Sequence, residues 1–481
     1  MYLAPKFGVP RREIVAMCFT KQFVSLLAVV TLNSFLCCAA SCAADSNGGW
    51  DTVPEILARI KSPDFPDRDF GVTDFGAIGD GQADCKPALD KAITACHAAG
   101  GGRVVVPEGD WLVRGPIHLK SGVNLHLERG STIRFSTTPD DFLPPVLTRF
   151  EGNELMNYSP LIYAHGQDNI AITGAGTFDG QAGPDRWWPW KGKSGGGPNQ
   201  GKDTEALRRM GEENVPAEKR VFGAGHYLRP NFIQPYRCKN VLIEGVTFTN
   251  SPMWVIHPVL SENVSIRGVT VVSHGPNSDG CDPESCRDVL IENCTFDTGD
   301  DCIAIKSGRN ADGRRIDVPS ENIIIRGCTM KDGHGGVVLG SEMSGGIRNV
   351  FVDDCAMDSP NLDRAIRLKS NSLRGGYLEN LFVRNVRAGQ VKEAVVRINL
   401  MYDKDRGEHY PVVRNIHIEN LTSNKSGRPF YLVGLENAKI QNVVIENCTF
   451  KNAARPSVFE HVEQITLRNF RQLSREGLDD E

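Results

Sequence analysis

The sequence predicts an all-β fold, a right-handed parallel β-helix, in which short strands stack coil upon coil. A pattern of one polar residue, Asn or Asp, followed by alternating β-branched residues recurs through most of the chain. Most repeats are 22 to 35 residues apart, which leaves no room for a helix between successive strands. The 49 glycines suit a fold with many turns. The polar markers are Asn240, Asn263, Asp288, Asn322, Asn349, Asn380, Asn415 and Asn442, with weaker echoes at Asn124, Asn169 and Gln464.

Residues 1–44 are expected to hold a secretory signal and a segment before it. Residues 23–40 are largely apolar, Lys21 precedes them, and small residues follow. Met17 would start a shorter signal with Lys21 as its charged end. The signal predicts export to the periplasm or the extracellular space, and Cys42 offers a lipid anchor as an alternative. Residues 45–68 are expected to be a linker.

The β-helix is expected to span residues 69–470 as one catalytic domain, because solenoids grow by adding turns. A helix over residues 84–98 would cap its N-terminal end and cover exposed strand edges. An insertion at about residues 181–230 interrupts the repeat and carries Trp187, Trp188 and Trp190. It either walls one end of a substrate groove or is only a decoration or a dimer contact. Its tryptophans either stack on sugar rings or pack locally. Residues 471–481 form an acidic tail.

Composition narrows the choice of partner. The formal net charge of −5 argues against a nucleic-acid binder, and the sequence contains no basic stripe. After residue 40, no apolar run reaches the ~20 residues that a membrane span needs. Any affinity for an acidic polymer must therefore come from a local cluster of cations. The oligomeric state is left open.

The cysteines predict buried thiols more than disulfides. Four of the 14 cysteines precede Ala43, and export would permit the remainder to pair. Cys281 and Cys286 flank the motifs described next and are the pair that we expect if any forms. A column of buried, small apolar thiols is predicted at four positions that share one phase of the repeat, Cys294, Cys328, Cys355 and Cys448.

Four short stretches with catalytically capable side chains fall at matching points of the repeat. Each precedes one of four serines, so the offset from the serine gives the phase. Asp279, Asp301 and Gly335 lie six residues before their serines, and Asp300 and His334 lie seven before theirs. Matching positions of a β-helix stack about one strand spacing apart, ~4.8 Å, so the fold should gather them in one site. The stretches are Asn277-Ser278-Asp279-Gly280, Gly299-Asp300-Asp301, Gly333-His334-Gly335 and Arg367-Leu368-Lys369, and the serines are Ser285, Ser307, Ser341 and Ser370.

Three clustered aspartates supply what glycosidic hydrolysis requires. One carboxylic acid must protonate the leaving oxygen, and one carboxylate must activate water or attack the sugar. Asp279, Asp300 and Asp301 can fill both roles, and their crowding should raise at least one pKa. His334 would hydrogen-bond a carboxylate or hold a substrate hydroxyl. No second His or Cys with ligand spacing surrounds His334, so neither a metal nor another cofactor is expected.

A cationic pair accompanies the aspartates. Arg367 and Lys369 are two residues apart in a predicted strand, so they share one face while Leu368 faces the core. Lys306 is expected to match Lys369 one repeat earlier. The cations either form a plain salt-bridge network with the aspartates or bind a substrate carboxylate, Arg through its planar fork and Lys as a point charge.

Together, these stretches resemble the polygalacturonases, family 28 of the glycoside hydrolases, whose motifs are Asn-Thr-Asp, Gly-Asp-Asp, Gly-His-Gly and Arg-Ile-Lys. All four occur here in order, with Ser278 for Thr and Leu368 for Ile. The resemblance covers roughly residues 70–470. It implies an inverting hydrolase of α-1,4-galacturonosidic bonds in pectin.

The resemblance also implies roles for individual residues. Asp300 would be the general acid, supported by His334, while Asp279 and Asp301 hold and activate the water. Arg367 and Lys369 would bind a galacturonate carboxylate. Other substrate-binding candidates are Asn277, Lys306, Tyr402 and His257. The stretch SPMWVIHP and the insertion look more like bacterial exo-acting members of the family.

Three other functions remain open at this stage. A hydrolase of rhamnogalacturonan or substituted galacturonan would use the same motifs. A calcium-dependent pectate lyase would use clustered aspartates as metal ligands. A non-catalytic β-helix that binds carbohydrate would not need Asp300 at all. The sequence does not distinguish endo from exo action or the tolerance for esterified or xylosylated chains.

Overall fold

The structure, a computed structural model, describes residues 49–192 and 197–473. They wind into the right-handed parallel β-helix that the sequence predicts. A full coil contributes one strand to each of three faces, as in Ile303–Ile305, Ser320–Arg326 and Thr329–Met330. We call these the first, second and third faces. Neighbouring coils pair in parallel, as Ile303 with Val337 on the first face.

Strand bounds follow the three faces, with one small additional sheet. The first face contains Ile117–His118, Ile162–His165, Ile233–Tyr236, Ile303–Ile305, Val337–Gly340, Arg364–Lys369, Ala394–Asn399, Arg428–Val433 and Val458–Glu460. The second contains Asp69–Gly71, Gly102–Val106, Val123–Leu127, Asp168–Gly174, Lys239–Glu244, Glu262–Arg267, Arg287–Glu292, Ser320–Arg326, Ile347–Asp353, Tyr377–Arg384, Val412–Glu419, Ile440–Lys451 and Val462–Leu473. The third contains Asp80–Asp84, Gly109–Val113, Ser131–Phe135, Thr177–Asp179, Thr247–Thr249, Thr270–Ser273, Thr295–Thr298, Thr329–Met330, Ala356–Met357, Arg387–Gln390 and Thr422–Lys425. The additional sheet contains Val146–Phe150, Asn153–Asn157 and Val221–Phe222.

The polar marker of the repeat forms a ladder along the second face. Asn349 has a left-handed backbone with φ of 56°, a conformation that Asn adopts more readily than most residues. Its side-chain amide donates to Asn322 at 3.0 Å and its oxygen accepts from Asn380 at 3.0 Å. The same bonds link Asn380 to Asn415 and Asn415 to Asn442. The recurrence of this polar residue in the sequence therefore reflects the ladder of side-chain hydrogen bonds.

Two helices from the first part of the chain cover the solenoid, one over its middle coils and the other over its first coils. Helix α1, Val53–Arg59, lies in the segment predicted to be a linker, so that prediction needs correction. Ile56 of α1 packs with Phe351 of the second face, and Arg59 forms an ion pair with Asp288 at 2.8 Å. Helix α2, Lys86–Ala98, is the predicted cap. Its buried residues recur at helical spacing and pack on the first coils, namely Ala88, Leu89, Ala92, Ile93 and Cys96.

Helix α3, Gly201–Glu212, lies within the predicted insertion. Helix α4, Asn310–Ile316, lies outside it and follows the first-face strand Ile303–Ile305. Arg220 bridges the two regions through a buried ion pair with Asp312 at 2.7 Å. Trp187 is 3% exposed and packs edge-on against Trp190, with ring centroids 5.0 Å apart. Trp188 donates its indole N–H to a backbone carbonyl at 2.9 Å. The three tryptophans thus pack locally, the second of the two alternatives.

All ten cysteines among the described residues are buried free thiols. The expected pairing of Cys281 with Cys286 is therefore wrong. The chain from Cys281 to Glu284 is extended, with both residues bridged to the next coil. The thiol of Cys286 instead donates a hydrogen bond to the carbonyl of Pro258 at 3.2 Å. Cys294, Cys328, Cys355 and Cys448 form the predicted buried column.

The predicted signal, including Met17 and Cys42, lies outside the described residues. So does most of the acidic tail, whose first three positions continue the strand Val462–Leu473. Within residues 49–192 and 197–473, no helix has the length and apolar character needed to cross a membrane.

Candidate active site

Sheet register brings the motifs together at one end of the first-face strands. Cys281 pairs with Ile303, and Ile303 pairs with Val337. Asp279, Asp301 and Gly335, each two residues earlier, therefore occupy one column on successive coils. The N–H of Gly280 donates to the carbonyl of Asp301 at 2.9 Å, which holds that column in register. The offsets counted from the serines are confirmed by this pairing.

The three aspartates form one carboxylate cluster. One oxygen from each of Asp279, Asp300 and Asp301 lies within 4.8 Å of the others. Asp279 is 3% exposed and Asp301 is fully buried, whereas Asp300 is partly exposed. Asp300 faces the outside because it precedes the strand, where the chain still runs through a turn.

Asp301 is the ionised member of the cluster. Its Oδ2 lies 2.6 Å from the Lys369 Nζ, and its Oδ1 accepts from Arg367 at 3.1 Å. Burial raises the pKa of Asp301, but Lys369 and Arg367 more than offset that effect and hold it well below its usual range. Because both oxygens are bound to cations, the cluster is arranged as an ion-pair network and fits a metal ion poorly.

Asp279 has the opposite character. Burial, together with the charge of Asp300, raises the pKa of Asp279 to about 7. Lys306, whose Nζ is 3.5 Å away, only partly offsets this rise. The expectation that crowding raises at least one pKa is confirmed, and the raised pKa belongs to Asp279. It does not belong to Asp300, the residue to which the resemblance assigns the acid role.

Asp300 and His334 share one proton. The His334 Nδ1 lies 2.9 Å from Oδ1 of Asp300. This hydrogen bond raises the pKa of His334. Burial raises the pKa of Asp300, but the bond from His334 and nearby cations lower it overall. His334, half exposed, also faces an adjoining opening of about 260 Å³.

A cavity of about 210 Å³ adjoins the cluster on the other side of Asp300. The insertion contributes Lys191 and Arg208 to its wall, and the hairpin of the additional sheet contributes Glu151. The insertion therefore forms part of the wall of the site, which agrees with the first alternative, that it walls a substrate groove. The full lining is Glu151, Lys191, Arg208, Trp254, Asn277, Asp279, Asp300, Lys306, Arg309, Ser341, Glu342, Lys369, Tyr402 and Asp403.

Four of the predicted substrate-binding residues line this cavity, Asn277, Lys306, Lys369 and Tyr402. Asn277 accepts a hydrogen bond from buried Arg229 at 2.8 Å, which ties the first motif to the insertion. The Tyr402 ring lies 5.3 Å from the Lys369 Nζ. Lys306 is buried over the ring of Trp254, 4.3 Å from its centroid. Lys306 aligns with Gly340, which in turn pairs with Lys369. The two lysines are thus two coils apart, and the predicted spacing of one repeat was wrong.

His257 is not a substrate-binding residue, contrary to the prediction. Its side chain is fully buried, and its ring bonds Glu284 at 2.8 Å on one side and Gln234 at 2.9 Å on the other. The hairpin strand Val146–Phe150 carries Arg149, which pairs with Glu284 at 3.3 Å. The hairpin therefore covers this part of the first face and separates His257 from the cavity.

Several lining residues were not predicted from the sequence. Arg309 and Glu342 each lie within two residues of a marker serine and form an ion pair at 3.1 Å. The serine offset that located the motifs could therefore have located them as well. Glu151, Lys191 and Arg208 carry no such signal, because they come from segments outside the repeat.

Comparisons with known proteins agree with this site. A family model described as glycosyl hydrolases family 28 matches residues 217–466. A second, described as rhamnogalacturonase A/epimerase, pectate lyase-like, matches residues 70–128. The chain is similar to a probable polygalacturonase of Vitis vinifera, 30% identical over 380 residues that cover 76% of this chain and 70% of that protein.

Two exo-acting proteins are also similar. The solved structure of an exopolygalacturonase from Thermotoga maritima is 50% identical with a TM-score of 0.86, covering 88% of this chain and 96% of that one. An exo-poly-alpha-D-galacturonosidase of Dickeya chrysanthemi is 26% identical over 360 residues, 70% of this chain and 58% of that protein. Both the family model and the four stacked motifs lead to the same assignment. The chain belongs to family 28 of the glycosyl hydrolases.

Proposed function

We propose that this protein hydrolyses the α-1,4-galacturonosidic bonds of polygalacturonate, acting at a chain end and with inversion. The observation that carries the proposal is the carboxylate cluster beside a cation-rich cavity that the insertion partly closes. The similarity to exo-acting relatives supports the same activity.

In this mechanism, Asp300 donates its proton to the glycosidic oxygen as the bond to the anomeric carbon breaks. A water molecule forms the new bond to that carbon and gives its proton to Asp301 or Asp279. His334, which shares a proton with Asp300, returns one to it for the next turnover. Asp301, which its two cations keep ionised, is suited to hold the water, and Asp279, whose pKa is raised to about 7, is the stronger proton acceptor.

Inversion is proposed on the presence of three carboxylates and on the family resemblance. In most inverting enzymes the two carboxyl groups are ~6.5–9.5 Å apart, and in retaining enzymes ~5 Å. The spacing of at most 4.8 Å between the nearest oxygens would by itself favour retention. A third carboxylate allows water to be held between two of them, and proton NMR of the first product measures the outcome directly.

Substrate recognition is proposed to rest on Arg367 and Lys369. In the ligand-free site they bind Asp301, which is the salt-bridge network considered in the sequence analysis. Arg367 is partly exposed, so a galacturonate carboxylate can share its fork with Asp301. Lys306 and Arg309 extend the cationic surface into the cavity.

Exo action is proposed because the insertion, which interrupts the repeat, contributes Lys191 and Arg208 to the wall of the cavity. Cations at that position suit the terminal uronate of an acidic chain. We also propose that the protein is exported to the periplasm or the extracellular space, where pectin is met, on the strength of the apolar segment at residues 23–40. Mass spectrometry of the N-terminus of the protein produced in its native host tests this.

The experiment is chromatography of the products of de-esterified polygalacturonate over time, with excess chelator present. Saturated mono- or digalacturonate from the first time point is the expected result, and Asp300→Asn should abolish it with folding preserved. An early ladder of longer oligomers would contradict exo action. Unsaturated products or loss of activity with chelator would indicate a lyase, and activity only on rhamnogalacturonan would replace the substrate.

A further inference from the structure

A fourth acidic residue lies behind the carboxylate cluster. Asp282 is three residues after Asp279, on an extended stretch between the bridges of Cys281 and Glu284 to the next coil. Its side chain is fully buried, and the proposed mechanism gives it no role. Both of its carboxyl oxygens lack a hydrogen-bond donor among the described residues.

The charged surroundings of Asp282 do not suit a second carboxylate beside Asp279. Its nearest cation, Lys306, lies 3.4 Å away but is also 3.5 Å from Asp279 and 3.6 Å from Glu342. One ammonium group thus faces three carboxyls. An ionised carboxylate that is buried without donors costs several kcal/mol, and two in contact resist ionising together.

The other titratable groups around Asp282 do not change this balance. Asp301 adds further negative charge, and the thiol of Cys281 is neutral because burial raises its pKa. His257 precedes Asp282 by one coil, but burial lowers the pKa of His257, and its ring is occupied by Glu284. Burial and the charge of Asp279 together raise the pKa of Asp282 well above its usual range.

We propose that Asp282 is a positioning residue whose neutral carboxyl donates a hydrogen bond to Asp279. The proton that the pair shares then resides on Asp282, and Asp279 stays ionised and oriented toward the water. This inference rests on the proposed hydrolysis. It explains how Asp279, whose pKa is raised to about 7 by burial and the charge of Asp300, can serve as a base in mildly acidic solution. A neutral carboxylic acid has one O–H to donate, and this O–H supplies the hydrogen bond between the carboxyls of Asp282 and Asp279.

Two substitutions separate this role from a structural one. Asp282→Leu removes the donor with similar volume, and kcat should fall about 10- to 100-fold with little change in KM, as expected for a lost hydrogen bond to a charged group. Asp282→Asn keeps an N–H donor in place, so its loss should be much smaller. Equal kcat for folded D282L and the unchanged protein would overturn the proposal.

The pH profile supplies a second test. Activity is lost as the pH falls and Asp279 becomes protonated. If Asp282 is already neutral, D282N exchanges one neutral group for another, and this acid limb stays in place. If Asp282 is instead an ionised partner of Lys306, D282N removes a negative charge beside Asp279, and the acid limb moves to lower pH. That shift would overturn the proposal.

Infrared difference spectroscopy tests the protonation without substrate. Above the pKa of Asp279, the C=O stretch of a neutral carboxyl should be present and should disappear in D282N; its persistence would overturn the proposal. This measurement holds even if D282L does not fold or the substrate assignment fails, whereas absence of any saturated product concerns only the proposed function. Asp312→Asn, which breaks a buried ion pair outside the cavity, is the matched control and should lower stability without changing that band.

Discussion

His334 and Asp300 divide one proton between an imidazole and a carboxyl, so the pH dependence of the enzyme should report on the pair. The proton is lost only as the pH rises through the raised pKa of His334. His334→Ala leaves the proton on Asp300 alone, whose carboxyl releases it at lower pH. We expect the basic limb of the kcat profile to move to lower pH and kcat to fall roughly 100-fold. An unchanged basic limb would show that His334 does not take part.

The ion pair of Lys369 with Asp301 should contribute to stability as well as to binding. Asp301 is fully buried, so Lys369→Met removes the shorter of its two ion pairs, leaves Arg367 as its partner, and should cost about 1.5–3 kcal/mol of unfolding free energy at neutral pH. Because the native pKa of Asp301 is depressed, the stability it supplies is present above the ordinary carboxyl value and is lost as the pH falls below it. The difference in unfolding free energy between the unchanged protein and Lys369→Met should therefore become smaller in acid.

The control for that comparison is Lys392→Met. Lys392 is 66% exposed and lies 3.6 Å from Asp363, so solvent screens the pair and its loss should cost less than about 1 kcal/mol. Denaturant unfolding at several pH values measures both variants. Equal losses for Lys369 and Lys392 would contradict a stabilising buried ion pair between Lys369 and Asp301.

Among the elements, the strands of the repeat were predictable and the loops were not. The serine offsets placed Asp279 and Asp301 in one column because strand stacking transmits sequence phase directly into space. The alternation of the strand directs the His257 side chain away from the core. The hairpin that carries Arg149 then covers it, and the repeat contains no information about that hairpin. Likewise, Lys191 and Arg208 reach the cavity through the path of the insertion, which no periodicity encodes.

The Asn ladder gives an element-scale prediction. Asn349→Ala removes two ladder bonds, each worth about 0.5–1.5 kcal/mol, and loses the polar side chain with which Asn tolerates the left-handed region, where Ala costs about 1–2 kcal/mol. Asn349→Gly loses the bonds but is free of that backbone strain. We expect unfolding free energy to fall for both, and by about 1 kcal/mol less for N349G. Identical losses would contradict the strain, and no loss in N349A would contradict the ladder.

At the scale of the whole solenoid, every coil buries its own small residues in a core that continues into the next coil. A thiol fits such a position as a small apolar group, and Cys294, Cys328 and Cys355 stack on successive coils as free thiols. Burial also raises the pKa of several thiols, including Cys238 to about 11 and Cys286 to about 12, which suppresses the reactive thiolate. A chain proposed for an oxidising compartment should therefore keep its cysteines reduced.

The corresponding measurement uses protein that begins at residue 45, which removes the four N-terminal cysteines. Native protein should react very slowly with a thiol reagent, and the ten buried thiols should all react once the solenoid is unfolded without any reductant. The thermal midpoint should not change when a reductant is added, because no covalent cross-link restrains the unfolded chain. Fewer than ten reactive thiols after unfolding, or a midpoint that falls with reductant, would mean that a disulfide forms. A bond between Cys281 and Cys286 would draw the Cys286 thiol from the Pro258 carbonyl, 3.2 Å away, and so disturb the coil that carries Asp279, and activity should fall with it.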